Sequence, residues 1–222
     1  MKKIIFRYSA MNAGKSANLI MNYHNYRELG LNPIALLPNL IKENKITSRL
    51  GIEITAIKIT DLIRTITNTE IDCIFIDEAQ FLTTKEIEIL NKINIEKEIT
   101  IIAYGLRTNS NGELFHGSKR LMEIADVLEE LPTLCHCGNK ARMNIRTIDG
   151  IVDDSDEEVK LRGAEKVSYI SVCRKCFYEY KTGDNKDLSS IIDELDNTKT
   201  FKQGRKTSQS LENILKILHG EN

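Results

Sequence analysis

The chain has 222 residues, of which 41% are hydrophobic and 28% charged, as in globular proteins with one core of ordinary domain size and a small second unit. Its 31 basic and 32 acidic residues give a formal net charge of -1, which argues against binding to nucleic acid or membrane phosphates. No apolar run approaches the roughly 20 residues of a membrane span, and the N-terminus lacks a signal-peptide pattern, so we expect a cytoplasmic protein.

The first half of the chain alternates apolar strands with helices. We predict strands at residues 3–8, 33–38, 54–59, 71–76 and 99–104. Helices are predicted at 15–29, at 61–68 with Asp61 as the cap, and from a Thr83–Glu86 capping box to about residue 93. Residues 39–52 are polar and are assigned to a surface loop with at most a helical turn. Apolar strands that alternate with helices predict a parallel α/β sheet covered on both faces.

The character of the sequence changes near residue 132. A Gly-, Asn- and Thr-rich loop at 105–117 leads into a predicted helix at 118–128, after which short polar strands and two cysteine pairs replace the alternating pattern. We therefore divide the chain into an α/β domain at 1–131, a smaller cysteine-containing unit at 132–180 and a polar tail at 181–222. The tail is predicted to be loose through about Ser210 and to end in a short helix.

The loop between the first strand and the first helix has the sequence of a phosphate-binding loop. It follows the pattern G-x-x-x-x-G-K-[ST], with Ser9 in place of the first glycine. Backbone N–H groups and the positive end of a helix attract phosphate there, and Lys15 and Ser16 are the expected contacts of the β/γ-phosphates and Mg²⁺. The alternative is a Gly-Lys-Ser triplet that merely opens a helix. We assign nucleotide binding to Ser9, Ala10, Met11, Asn12, Ala13, Gly14, Lys15 and Ser16.

Two acidic residues follow the strand at 71–76. Asp77 stands where a Walker B carboxylate holds Mg²⁺, and Glu78 beside it has the chemistry of a proton acceptor. An ATPase would use Glu78 to orient water, whereas a small-molecule kinase would use it to deprotonate a substrate hydroxyl. A helix-capping Asp77 and a solvated Glu78 are the alternatives. Because the carboxyl ends of parallel strands meet at one rim, we expect Ser9, Asp77 and Gly105 to lie on that rim.

Four of the five cysteines form two pairs, Cys135-x-Cys137 and Cys173-x-x-Cys176. Two such pairs brought together supply the four thiolates of a tetrahedral structural zinc site with no open position. A redox pair or free thiols are the alternatives, and His136 could replace one cysteine ligand. The fifth, Cys73, lies in an apolar strand and is expected to be a small buried hydrophobe.

Five motifs follow one another in unbroken order over about residues 1–178. They are the loop at 9–16, Asp77-Glu-Ala-Gln-Phe81, Tyr104-Gly-Leu-Arg-Thr108 with Gly112-Glu-Leu-Phe115, Cys135-His-Cys-Gly138, and Tyr169-Ile-Ser-Val-Cys-Arg-Lys-Cys176. Together they resemble the type II thymidine kinases, the family of the thymidine kinase 1 type. Ser9 fits this resemblance, since the bacterial branch of the family has serine there.

The resemblance implies a P-loop (RecA-like) parallel sheet flanked by helices, followed by a small zinc-ribbon domain with a lasso loop. It implies a homotetramer that transfers the γ-phosphate of ATP to the 5′-hydroxyl of thymidine, with Mg²⁺ and a structural Zn²⁺, and no nucleic-acid or membrane partner. The matching positions give Glu78 as catalytic base, Asp77 as metal-side carboxylate, and Ala79 and Gln80 as further nucleotide-binding residues. The same match gives Cys135, Cys137, Cys173 and Cys176 as zinc ligands, and Phe81, Phe115 and Tyr169 as thymidine contacts.

Other hypotheses stay open at this point. One is a zinc-ribbon ATPase that acts on nucleic acid and uses Glu78 to activate water. Another is a P-loop domain without catalysis, kept for assembly. Arg107 is a further candidate for neutralising phosphate charge in a kinase. Residues 162–169 contain one or two more residues than the lasso of the family, which bears on how the base is recognised.

Overall fold

The computed structural model describes residues 2–155, 166–184 and 186–199, and the side chains of the last helix through residue 196. The resemblance assigns the lasso to the segment between the two cysteine pairs. Residues 156–165 of this segment and the short helix predicted near the end of the chain lie outside the described residues. Within the described residues, no helix is long and apolar enough to cross a membrane.

The first part of the chain builds an α/β layer structure. Its elements are β1 (Ile4–Ser9), α1 (Lys15–Glu28), β2 (Pro33–Leu37), β3 (Lys45–Thr47), β4 (Glu53–Thr55), β5 (Ile57–Lys58), α2 (Leu62–Asn68), β6 (Cys73–Ile76), α3 (Thr84–Lys97), β7 (Thr100–Leu106), α4 (His116–Ile124) and β8 (Val127–Glu130). Six strands pair in parallel in the order β5-β2-β6-β7-β1-β8. The predicted parallel sheet with flanking helices is confirmed.

Each central strand contributes to two hydrophobic cores. Ile74 and Ile76 of β6 pack into one core with α2, α3 and α4, whereas Cys73 and Phe75 pack into the other with α1. Successive side chains of a strand point to opposite faces, so a strand covered on both sides must be apolar at every position. This explains the continuous apolar runs that predicted the sheet, and Cys73 is buried as expected.

The predicted surface loop at 39–52 is wrong in part, because β3 and β4 form an antiparallel hairpin there. Ile46 and Ile54 face each other across the hairpin and are both buried against the α1 face of the sheet. Each strand contributes one buried apolar residue, which is too few to produce a detectable period. The predicted strand at 54–59 is accordingly split between the hairpin and β5.

Helix boundaries and one helix cap also differ from the predictions. The helix predicted at 118–128 ends at Ile124, and Val127–Glu130 instead form β8 beside β1. Asp61 makes no side-chain cap at α2. The Thr83–Glu86 capping box is confirmed by reciprocal side-chain and backbone hydrogen bonds at the start of α3, which continues to Lys97.

A second, antiparallel sheet follows the main one. It consists of β9 (Met143–Ile148), β10 (Ile151–Val152) and β11 (Val167–Val172) in the order β10-β9-β11, with α5 (Arg174–Thr182) and α6 (Ser189–Lys199) beside it. The prediction of a loose segment after residue 181 is wrong for residues 186–199. Leu188 and Ile192 are 1% and 7% exposed and belong to the core of this sheet. The proposed domain boundaries at 131 and 180 stay predictions.

Replacement of Ile192 tests whether α6 belongs to the core of the second sheet. We expect Ile192→Ala to reduce the free energy of unfolding by about 2–5 kcal/mol, because the side chain fills a packed site. Urea unfolding followed by circular dichroism measures the change. Glu194→Ala, on the exposed face of the same helix, is the control; equal stability of the two variants would contradict the packing role.

Candidate functional site

The loop between β1 and α1 forms a tight turn at the carboxyl end of the sheet. Gly14 directly precedes α1 with φ 71°, a left-handed conformation that glycine adopts without steric cost. Asn12 is also left-handed, with φ 62°. Residues 11–17 line a cavity of about 440 Å³, while Ser9 and Ala10 are buried beneath them. The predicted phosphate loop therefore has the strand-turn-helix geometry that its sequence requires.

Lys15 is held inside this loop. Its Nζ donates hydrogen bonds to Ser9 Oγ at 3.1 Å and to the carbonyl oxygen of Ala10 at 3.2 Å, and its side chain lines the cavity. Burial lowers the pKa of Lys15, while the negative charges of Glu78 and Asp77 oppose this shift. Ser9, the departure from the general pattern, thus supplies an acceptor that orients the lysine.

Asp77 is placed to hold a cation together with Ser16. The Asp77 residue is 3% exposed, and its carboxylate accepts a 3.0 Å hydrogen bond from the backbone N–H of Glu78. The nearby Ser16 hydroxyl lowers the pKa of this carboxylate. Burial, and then repulsion from Glu78, raise the pKa of Asp77 to about 6. A nearby divalent cation would oppose both effects and favour the carboxylate form. This hydroxyl and carboxylate are the pair that P-loop enzymes use for Mg²⁺, so the residues fit that ion.

Glu78 lies between Asp77 and a buried turn. Its backbone is left-handed, with φ 53°, which is uncommon for a residue with a side chain and concentrates at functional sites. Glu78 Oε2 accepts a hydrogen bond of 2.6 Å from Gln80 Nε2. Glu78 lines the same cavity as the phosphate loop, whereas Ala79 and Gln80 do not line it and are buried.

The β3–β4 hairpin supplies a cation that the sequence did not reveal. Residues 47–50 line the cavity opposite the phosphate loop, and the Arg49 guanidinium donates a hydrogen bond to Asn12 Oδ1. The positive charge of Arg49 acts on Lys15, where it lowers the pKa. A planar guanidinium suits phosphate oxygens. The only available signal was the basic character of residues 39–52, which does not single out one residue.

The second sheet contacts the phosphate loop directly. Asn144 Oδ1 accepts a hydrogen bond of 2.8 Å from the backbone N–H of Met11, and Ser171 Oγ donates one of 2.7 Å to the Met11 carbonyl oxygen. Asn144 Nδ2 also donates to the carbonyl oxygen of Thr108, 3.3 Å away in the loop after β7. No sequence motif marked Asn144 or Ser171, because single polar residues in a short strand have no characteristic spacing.

The predicted substrate residues fall into two groups. Tyr169 lines a cavity of about 190 Å³ together with Met11, Asn12, Arg49 and residues of α6. Phe81 and Phe115 do not line this cavity; their rings pack edge to face with centroids 5.7 Å apart. The Arg107 guanidinium donates a hydrogen bond of 3.3 Å to the Arg142 carbonyl oxygen. Arg107 does not line the phosphate-loop cavity, which does not support the hypothesis that it neutralises phosphate charge.

The four predicted zinc ligands converge on one point. The Sγ atoms of Cys135, Cys137, Cys173 and Cys176 all lie within 4.8 Å of one another. Tetrahedral zinc with sulfur at about 2.3 Å separates two ligands by about 3.8 Å, and Cys137 and Cys173 are 3.7 Å apart. Hydrogen bonds from Asn139 lower the pKa of Cys137 to about 6. The cluster therefore fits zinc, and His136 instead contacts Tyr180 Oη at 2.9 Å.

Comparison with known proteins places this geometry in a family. The family model described as thymidine kinase matches residues 2–177. The chain belongs to the thymidine kinase family. It is similar to thymidine kinases of Rhodopirellula baltica (40% identity, 81% of this chain and 89% of the relative), Coxiella burnetii (41%, 80% and 95%) and Enterobacteria phage T4 (40%, 81% and 97%).

Membership of the thymidine kinase family makes the chain an ATP-dependent nucleoside kinase, and so a transferase. Among solved structures, the chain is similar to a RuvB mutant of Thermotoga maritima. The match covers 60% of this chain and 39% of the RuvB chain, at 16% sequence identity and a TM-score of 0.37. The parallel sheet and the phosphate loop described above define the fold.

Zinc content tests the cysteine cluster. We expect about one zinc per purified chain, and its loss in Cys137→Ser, because three thiolates bind the ion more weakly than four. Elemental analysis of the dialysed proteins measures this. Cys73→Ser, which changes a buried cysteine outside the cluster, is the control and should retain zinc. A metal-free wild type, or full occupancy in Cys137→Ser, would contradict the assignment.

Proposed function

We propose that this protein transfers the γ-phosphate of ATP to the 5′-hydroxyl of thymidine, giving dTMP and ADP, with Glu78 as the general base. Membership of the thymidine kinase family supports the substrates. The observation that carries the proposal is that the Glu78 carboxyl and the phosphate loop line one cavity. A proton acceptor beside a phosphate site is what transfer to a hydroxyl requires.

The phosphate chain of ATP binds over the loop at residues 11–16. Its charge is balanced by the backbone N–H groups, by Lys15 and by Arg49, which all line the cavity. Ser16 and Asp77 would hold Mg²⁺, which supplies positive charge to the phosphate oxygens. This charge balance matters because negative charge on the transferring group and its leaving oxygen must be stabilised as the bond to ADP breaks.

The reaction is an in-line displacement at the γ-phosphorus. The 5′-oxygen of thymidine forms a bond to phosphorus, the bond between phosphorus and the β,γ-bridging oxygen breaks, and ADP leaves. The hydroxyl proton passes to the Glu78 carboxylate. Gln80 occupies Glu78 Oε2, which leaves Oε1 as the oxygen that accepts the proton.

The nucleoside is bound next to the phosphate site, since the cavity lined by Tyr169 shares Met11, Asn12 and Arg49 with the phosphate-loop cavity. Tyr169 in β11 and the Phe81–Phe115 pair are the proposed contacts of deoxyribose and base, following the family resemblance. The family resemblance implies that the lasso, the segment between the two cysteine pairs, closes over the nucleoside and excludes water, so that transfer to thymidine outcompetes hydrolysis. Cys135, Cys137, Cys173 and Cys176 would hold a structural zinc, which would fix the end of β11. Homotetramer formation and a cytoplasmic location stay predictions.

Removal of the base tests the reaction class. We expect Glu78→Gln to reduce kcat for dTMP formation by about 10²–10⁴-fold while ATP still binds, because an amide cannot accept the proton. Radiometric or chromatographic detection of dTMP measures this, with Glu96→Gln on the exposed face of α3 as the control. Undiminished dTMP formation would remove the proposed base. Rapid ADP release that does not depend on thymidine would instead indicate an ATPase that activates water.

Removal of the hairpin cation tests its role in the phosphate site. We expect Arg49→Ala to raise KM for ATP about tenfold or more, since a charged hydrogen bond contributes roughly 1.5–3 kcal/mol. KM for thymidine should change much less. Steady-state kinetics with each substrate varied in turn measures both, and Arg64→Ala, an exposed arginine on α2, is the control. An unchanged KM for ATP and an unchanged kcat would exclude Arg49 from the site.

A further inference from the structure

Gln80 is buried at the centre of the site but does not reach the nucleotide cavity. The residue is 2% exposed and lies in the single helical turn that follows Glu78. Its side chain has one partner on each side. Oε1 accepts a hydrogen bond of 3.0 Å from the backbone N–H of Leu106, and Nε2 donates one of 2.6 Å to Glu78 Oε2. Both polar atoms of the amide are therefore satisfied within the protein.

The orientation of this amide is determined by the backbone. The group at the far end is the N–H of Leu106, which can only donate, so the atom that faces it must be the amide oxygen. The NH₂ group must then face Glu78, where the carboxylate oxygen can only accept when it is ionised. Because the amide cannot flip without losing both bonds, Gln80 holds the Glu78 carboxyl group in one orientation.

Gly105 provides the space for this arrangement. A Cβ at Gly105 would lie 2.9 Å from Gln80 Oε1 and 3.1 Å from the Gln80 backbone nitrogen. At such short distances a neighbouring atom would have to move, and the atom that can move is the Gln80 amide oxygen. The residue before Leu106 must therefore be glycine for the amide to sit against the strand end, which explains a glycine within an otherwise apolar strand.

The charges around Glu78 show why its carboxylate needs a neutral partner. Asp77 adjoins it and repels it, while Lys15 attracts it. A direct ion pair with Lys15 would engage both the proton acceptor and a phosphate contact. A neutral donor on the opposite side holds the carboxylate without competing for phosphate.

We propose that Gln80 is a positioning residue that keeps the Glu78 carboxylate directed at the acceptor hydroxyl, and that it makes no contact with ATP. This inference rests on the proposed role of Glu78 as base. It replaces the nucleotide-binding role that the family resemblance suggested for Gln80. Leu106 lines the cavity, and its carbonyl oxygen accepts a hydrogen bond of 2.5 Å from Ser118 Oγ. The Gln80 bond to Leu106 therefore fixes the Glu78 carboxylate relative to the end of β7 and the start of α4.

The test is a double-mutant cycle in the full chain. We expect Gln80→Leu to lower kcat roughly 10- to 100-fold, by loss of a hydrogen bond to a charged group. KM for ATP and the affinity for ADP should be unchanged. In a Glu78→Gln background, Gln80→Leu should have little further effect, because both changes act on the same step. Single-turnover formation of dTMP measures the slow variants, and zinc content together with thermal melting reports whether each variant is folded.

Gly105→Ala gives a second measurement that leaves Gln80 in place. We expect it to lower kcat in the same direction as Gln80→Leu, and the two changes together to be less than additive. Ala103→Gly, in the same strand, is a control for altered strand packing. Weaker ADP binding in Gln80→Leu would overturn the inference in favour of a nucleotide contact, and a full additional loss in the Glu78→Gln background would overturn it in favour of a general structural role.

The outcomes also separate this inference from the proposed function. If Glu78→Gln keeps normal activity, the proposed base is wrong whatever Gln80 does. If Glu78→Gln is inactive but Gln80→Leu and Gly105→Ala both keep the wild-type kcat, the base stands and only the positioning role is lost.

Discussion

Two hydrogen bonds to the backbone of Met11 hold the phosphate loop between the two sheets, and the rest of the site depends on them. Asn144 accepts from the Met11 N–H and Ser171 donates to its carbonyl oxygen. A phosphate loop works only if its remaining N–H groups stay fixed in direction while the ligand arrives. Here β1 and α1 hold the two ends of the loop, and the second sheet holds its middle.

This arrangement gives the smaller sheet two tasks. Its strand β11 carries Tyr169 on the proposed nucleoside side and Ser171 on the phosphate loop. Opposite Tyr169, the buried Arg146 of β9 forms a 2.7 Å ion pair with Asp153 and a hydrogen bond with Ser155. A buried guanidinium is costly unless it is well paired, so these contacts define where the chain leaves the sheet toward the lasso. Donor and acceptor sides of the site are thus joined through one strand.

The sequence was informative wherever a local pattern has a physical cause. The parallel sheet follows from continuous apolar strands, the capping box from Thr83 and Glu86, and the cysteine cluster from two closely spaced pairs. The prediction failed for the β3–β4 hairpin and strand β8, whose strands have three or four residues and are too short to show a period. Helix α6 is longer, but it lies in a polar stretch of the sequence, and its packing on the second sheet depends on contacts with distant residues.

The site shows the same division. Glu78, Asp77 and the phosphate loop lie at strand ends, where chemistry is expected from topology alone. Arg49 reaches the cavity only because an unpredicted hairpin brings it there, and the orientation of Gln80 depends on Leu106, which lies 26 positions further along the chain. A motif identifies Gln80 as important, but only three-dimensional contacts distinguish a residue that binds the nucleotide from one that orients its neighbour.

The position of the cysteine cluster has a consequence for the shape of the phosphate loop. Ser171, which holds Met11, stands two positions before Cys173 in the sequence, and Cys173 begins α5 by accepting a hydrogen bond from the Cys176 N–H. Any change that moves these four thiols apart would therefore displace the end of β11 and the Ser171 hydrogen bond to Met11. The shape of the phosphate loop thus depends on residues that do not line the nucleotide cavity.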